Sequence, residues 1–295
     1  MRPWLAVLIA LVAAVGVTVA AAQERHDATT PRSAALSQTP ETDPLPAPDA
    51  TLPRRPDRLA AMLTVTTRRL RDAVRCWEPA DAVPRDVTYL ALHHQRMLRL
   101  MTDRRGLGDA TLARLPADVR GEARDTILGR RHLAAIPRSP GKLPRVRIAS
   151  AAPAAQLRRH YAEAQRRFRV HWSVLASINF VESAFGRVRS ASEAGARGPM
   201  QFLPATWRVY GMGGDIDKPR DAILAAANYL RRAGAPEDLD GALFAYNPSK
   251  SYVRAIRRFA KRMRTDERAF LSYYTWQVYI LTPNGSRRLT GPGRE

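Results

Sequence analysis

The residue best placed to do chemistry is Glu182. It is the single charge in an otherwise apolar stretch, Trp172–Gly186, WSVLASINFVESAFG. A carboxyl on an apolar helix is desolvated, and desolvation raises its pKa. A Glu that keeps its proton near neutrality can serve as a general acid. The competing structural reading is a Glu paired with one of the chain's many arginines. Gln201 follows a loop of small residues, SASEAGARG, that would let a polymer approach the backbone. Its amide offers donors and an acceptor suited to sugar hydroxyls and N-acetyl groups. Acid/base chemistry often uses a second carboxylate beside the first. Here Glu193, Asp215, Asp217 and Asp221 are the candidates for a second, and nothing in their surroundings singles one out. Cys76 is the one cysteine, and the six histidines show no HExxH or comparable spacing. No intrachain disulfide, metal site or cofactor is therefore expected. Asp215 and Asp217 in the glycine-rich turn lack the pattern of a calcium loop and read as a cap or surface turn.

These residues must be positioned by helices. Trp172, Leu175, Ile178, Glu182 and Phe185 share one face, with Val174 and Val181 on a second stripe. The spacing predicts a buried helix over 172–184, stopped by Gly186. Helices are also expected over 153–168, 199–210, 219–234, 240–246 and 249–264, the last with a basic outer face. A membrane-surface role for that face is the less usual alternative to a solvated one. Residues 276–290 read as a short hairpin turning at Asn284-Gly285. Tyr273, Tyr274 and Trp276 either border a groove or close the domain. Upstream, the pattern predicts helices over 57–77, 83–102 and 116–136, with no catalytic constellation.

The motifs around Glu182 are recognisable. Glu182-Ser183-Ala184-Phe185, the loop SASEAGARGPMQFLPATW and Ala245-Tyr246-Asn247 resemble the soluble lytic transglycosylase (SLT) family, across about 153–280. The motifs fall in the family's order, with Glu182 and Gln201 nineteen residues apart. The resemblance implies a mainly α, goose-type-lysozyme-like catalytic domain with a small C-terminal hairpin. It implies a glycan-cleaving lyase in which Glu182 is the single acid/base and Tyr246 touches its carboxyl. Ser183, Ser192, Met200, Gln201, Thr206 and Asn247 then fall at glycan-binding positions. Pro199 stands where the soluble enzymes often carry Leu, as in another transglycosylase branch. The implied reaction cleaves the β-1,4 bond of N-acetylmuramic acid to N-acetylglucosamine and leaves 1,6-anhydro ends. The alternatives are a lysozyme-type hydrolase and a non-catalytic glycan-binding envelope protein.

The ends of the chain supply the compartment. Residues 1–22 give Arg2, an apolar run and an A-x-A pattern, which read as a secretory signal or an uncleaved membrane anchor. Both place the rest outside the cytoplasm and argue against nucleic acid as partner. Residues 23–56 read as a Pro-rich disordered linker, 57–137 as a helical accessory region, 138–152 as a second linker and 153–295 as the catalytic domain. The chain has 295 residues, 48 Lys+Arg and a net charge of +21. Such a charge attracts polyanions. Peptidoglycan strands are the expected partner, with anionic cell-wall polymers as a second.

Overall fold

The computed structural model describes residues 44–137, 146–282 and 285–294. The 1–22 segment, most of the 23–56 linker and Asn284 of the expected turn lie outside the described residues. Four helices open the described chain: α1 (Pro56–Cys76), α2 (Arg85–Asp103), α3 (Arg105–Arg114) and α4 (Ala117–Ala134). Seven follow the strap at 146–153: α5 (Ala154–Phe168), α6 (Trp172–Ser183), α7 (Pro204–Tyr210), α8 (Pro219–Arg232), α9 (Leu239–Tyr246), α10 (Lys250–Thr265) and α11 (Arg268–Tyr274). An antiparallel hairpin, β1 (Tyr279–Thr282) with β2 (Gly285–Arg288), closes the chain, with Tyr279 opposite Arg288. The architecture is mainly helical and lysozyme-like, as expected.

One hydrophobic core runs from Leu59 in α1 to Trp276 beyond α11. The upstream helices therefore share their interior with the downstream ones. The helices α4 and α10 pack where Gly129 faces the Phe259 ring. A Cβ there would lie 2.9 Å from that ring, so only glycine allows the approach. A buried hydrogen bond, Thr126 to Tyr273 at 2.6 Å, ties α4 to α11. The Gln95 carboxamide of α2 clasps the Gln277 backbone on both sides at 2.9 Å. Tyr273, Tyr274 and Trp276 are buried, so they close the domain and do not border a groove.

Several expectations shift in detail. Two helices went unread. α3 carries Gly106 and Gly108, which weaken the helical signal, and a Cβ on Gly108 would strike the Met101 carbonyl. α11 is a short, aromatic-rich segment without a cap signature. The helix expected over 199–210 begins at Pro204, because Leu203 precedes a proline and takes an extended conformation (φ −67°, ψ 140°). The tail of the Pro-rich segment is packed: Leu45 and Leu52 lie against the core. The end of the second linker is paired too. Ile148 bridges Val188, and the Arg147 amide donates to Ser190 Oγ at 2.7 Å. No helix among the described residues is long and apolar enough to cross a membrane.

Candidate active site

The fold builds the site outward from α6. Its start is fixed by side chains: the Trp172 amide donates to Gln165 Oε1 at 2.6 Å, and the Ser173 amide to His171 Nδ1 at 3.2 Å. Leu175, Ala176 and Ile178 are fully buried, so the helix cannot rotate without moving the core. It ends abruptly. Ala184 (φ 51°) and Phe185 (φ 63°) are both left-handed, and the Phe185 amide returns to the Asn179 carbonyl. Left-handed conformations are costly for residues with a Cβ and are held only by firm surroundings. Here the expected stop at Gly186 comes earlier.

The last turn of α6 also fixes the following loop. Asn179 Nδ2 and Ser183 Oγ both donate to the Pro199 carbonyl, at 2.8 and 2.6 Å. Ser183 Oγ accepts in turn from the Gly186 amide at 2.8 Å. From the other side, the Tyr246 hydroxyl at the end of α9 donates to the Met200 carbonyl at 2.6 Å. Residues 199–200 are thus gripped between α6 and α9. This sets Gln201 in a left-handed conformation (φ 50°), with its Nε2 donating to the Gly198 carbonyl at 3.1 Å.

Glu182 sits on the final turn of α6 with 9% of its surface exposed. Burial pushes its carboxyl up to about 7, opposed by a hydrogen bond from Tyr252. That bond runs from the Tyr252 hydroxyl to Glu182 Oε1, 2.7 Å. Burial and the nearby Glu182 carboxyl hold the Tyr252 hydroxyl well above its ordinary value, so it donates. With Oε1 accepting, the proton of the neutral acid resides on Oε2. Among the described residues Oε2 has no protein partner, so it is free to meet a ligand. No other carboxylate contributes to the Glu182 balance. The candidate second acids are engaged elsewhere or exposed. Asp217 pairs with Arg197 at 3.1 Å, and Asp221 Oδ2 and Asp215 Oδ1 accept backbone amides at 3.0 and 2.9 Å. Glu193 is exposed on the loop. Among the described residues no group of acids, histidines and cysteines forms a metal centre.

Three expectations from the resemblance need correction. The hydroxyl on the Glu182 carboxyl belongs to Tyr252, not Tyr246. Tyr246 is near enough that Glu182 raises its pKa, but its hydrogen bond is spent on the Met200 carbonyl. Ser183 is 1% exposed with its hydroxyl committed on both sides, so it pins the loop. The Met200 side chain is fully buried, and only its backbone faces the cluster. Of the remaining candidates, Gln201 and Thr206 are partly exposed. Ser192 closes its own tight loop by accepting the Ala196 amide at 3.0 Å. The Asn247 carboxamide follows Tyr246, is 6% exposed and has no protein partner among the described residues. The burial of Tyr252, though not its partner, was legible in principle. It lies on the same α10 stripe as Ile256, Phe259 and Met263, four, seven and eleven positions on.

The fold and site thus define a lysozyme-like helical domain built around one desolvated acid. Residues 160–269 match the transglycosylase SLT domain family. It is 32% identical over 113 residues to a protein from Thiobacillus denitrificans named membrane-bound lytic murein transglycosylase F, covering 36% of this chain and 24% of that one. It is 29% identical over 148 residues to membrane-bound lytic murein transglycosylase F 1 of Alkalilimnicola ehrlichii, covering 44% and 29%. The chain thus spans a quarter to under a third of the length of these curated relatives. No solved structure gives a match.

Proposed function

We propose that the protein is a peptidoglycan lytic transglycosylase in which Glu182 is the single acid/base. The observation that carries this reading is a buried carboxyl, pushed up to about 7 by desolvation, with Tyr252 on one oxygen, the other free and no second acid beside it. Glu182 Oε2 gives its proton to the glycosidic oxygen as the bond from C1 of the muramic residue breaks. The resulting carboxylate takes the proton of that residue's C6 hydroxyl. The C6 oxygen attacks C1 and closes the 1,6-anhydro ring. One proton leaves Glu182 and one returns, so the acid is regenerated without water or a protein nucleophile. The nucleophile is already tethered, which removes much of the entropic barrier. Asn247, Gln201, Ser192 and Thr206 are the side chains left to hold sugars, and Tyr246 shapes the groove through Met200.

The low-dielectric surroundings of Glu182 supply its acidity at the right pH. A general acid works best with a pKa near the working pH. An exposed Glu near 4.5 would already have lost its proton there. The relatives' names place them at a membrane and on murein, which supports an extracytoplasmic site of action for this chain, reached by the signal or anchor read in residues 1–22. The net charge of +21 supports retention on anionic wall polymers. Such retention weakens steeply with salt, and wall binding that stays constant from low to high ionic strength refutes it.

Digestion of purified sacculi followed by mass spectrometry is the deciding experiment. The expected products carry anhydro ends, one water lighter than reducing ends. Reducing ends alone would indicate hydrolysis, and full activity in Glu182→Gln would end the acid/base assignment.

A further inference from the structure

A groove of about 730 Å³ lies where the start of α6, the start of α9 and the length of α10 meet, and none of the candidate site residues lines it. Its floor is apolar, with Val170, Val174, Leu243, Val253, Ile256 and Ala260. Its rim is cationic, with Arg254, Arg257, Arg258, Lys261 and Arg264 from the outer face of α10, against one carboxylate, Asp240. Pairing sorts these cations. Arg257 bonds Asp240 at 3.0 Å, and Arg258 and Lys261 share Asp125 of α4 at 2.7 and 3.1 Å. Arg254 and Arg264 are exposed and have no carboxylate partner among the described residues. Ten positions of helix separate them, about 15 Å along the axis at 1.5 Å per residue.

Two free guanidinium groups at that distance outreach a single phosphate. They match an extended chain of about four residues at ~3.3 Å each, with a carboxylate toward either end. The floor between them takes small apolar side chains. A membrane surface suits the groove less well. Its floor side chains are too buried to enter a bilayer, and none of the exposed large apolar residues, Val65, Val209, Met212 and Phe244, lines it. We infer that this groove binds a short, extended acidic peptide through Arg254 and Arg264. The identity of that peptide rests on the function proposed above: peptidoglycan carries stem peptides in which carboxylates alternate with methyl side chains.

Two histidines report on occupancy. His132 is held below its ordinary value first by burial, then by Arg254 and Arg258. His171 is held down first by burial and then by Arg264, with Glu267 opposing and Arg158 adding. A carboxylate bound at either arginine offsets the repulsion, so binding raises both histidine pKa values and tightens as pH falls.

The test is titration of the full chain with a free stem tetrapeptide, followed by calorimetry and by the histidine ring resonances. R254Q/R264Q is expected to weaken binding about tenfold, while R58Q/R105Q, which removes two exposed arginines outside the groove, leaves it unchanged. The resonances of His132 and His171 should titrate at higher pH with peptide present. Equal weakening by both double variants, or unmoved histidines, overturns the inference. So does tighter binding of phosphatidylglycerol vesicles or inorganic polyphosphate through the same two arginines. A protein that releases anhydro products yet ignores the tetrapeptide loses the groove assignment alone. One that binds the peptide through Arg254 and Arg264 but leaves sacculi intact loses the enzymatic reading alone.

Discussion

Glu182 and Tyr252 divide the work at the candidate site. The tyrosine hydroxyl stabilises the carboxylate form and so lowers a pKa that burial has raised. Removing it in Tyr252→Phe takes away a hydrogen bond donated to the carboxyl and should push the Glu182 pKa above 7. In the proposed mechanism the first step needs the protonated acid, so the fall of kcat/KM with rising pH should move to higher pH in this variant. The maximal rate should drop by roughly tenfold through lost orientation, with KM little changed. A tyrosine that merely filled space would leave the pH profile in place. Glu182 carries a cost in stability. The folded carboxyl keeps its proton up to about 7, while an unfolded one releases it near 4.5. Between those values the folded state binds more protons, so stability falls as pH rises through the window. The loss amounts to about 3 kcal/mol. Glu182→Gln is neutral at every pH and still accepts from Tyr252. It should match the wild type near pH 4 and exceed it by about 3 kcal/mol near pH 8, as read from denaturant midpoints at both pH values.

At the scale of elements, the end of α6 is a clamp. Two side chains of one helical turn, Asn179 and Ser183, converge on the Pro199 carbonyl, and Tyr246 holds the next carbonyl from α9. This is how a loop of small residues, with little packing of its own, is held beside Glu182. Ser183→Ala leaves the buried Gly186 amide without its hydroxyl partner and should cost about 1–3 kcal/mol. The melting temperature is expected to fall, with KM for glycan changing less than twofold when activity is measured well below the transition. A large KM effect without destabilisation would restore Ser183 as a sugar-binding residue.

At the scale of the molecule, the upstream helices are part of the structure that supports the site. The Phe259 ring of α10 packs on Gly129 of α4, and Arg262 of α10 bridges Glu122 of α4 and Asp266. Arg71 of α1 reaches the same Glu122 at 3.1 Å. Tyr252, which meets Glu182, stands on this same α10. A chain beginning at residue 146 would expose that surface and should fail to give a cooperative thermal transition, judged by circular dichroism. The full chain should melt in a single step. A folded, cooperative fragment would show that the shared interior is dispensable.

The sequence by itself determined the helical class and the bounds of most helices, and it singled out Glu182 as the candidate acid. Helical periodicity and turn chemistry are local, and a lone carboxylate in an apolar run is visible without a fold. The order of motifs from Glu182 to Asn247 was equally legible. What only the tertiary structure decided were the partners. Tyr252 is seventy residues from Glu182, and a hydrogen bond across two packed helices has no signature in either segment. Ser183 and Tyr246 occupy the motif positions that the resemblance assigned to substrate and acid, yet their hydroxyls face Pro199 and Met200. Direction, unlike residue type, is set by packing. The sharing of one core by 57–137 and the downstream helices was hidden for the same reason. Amphipathic stripes show that a face is buried, and only the assembled chain shows against what.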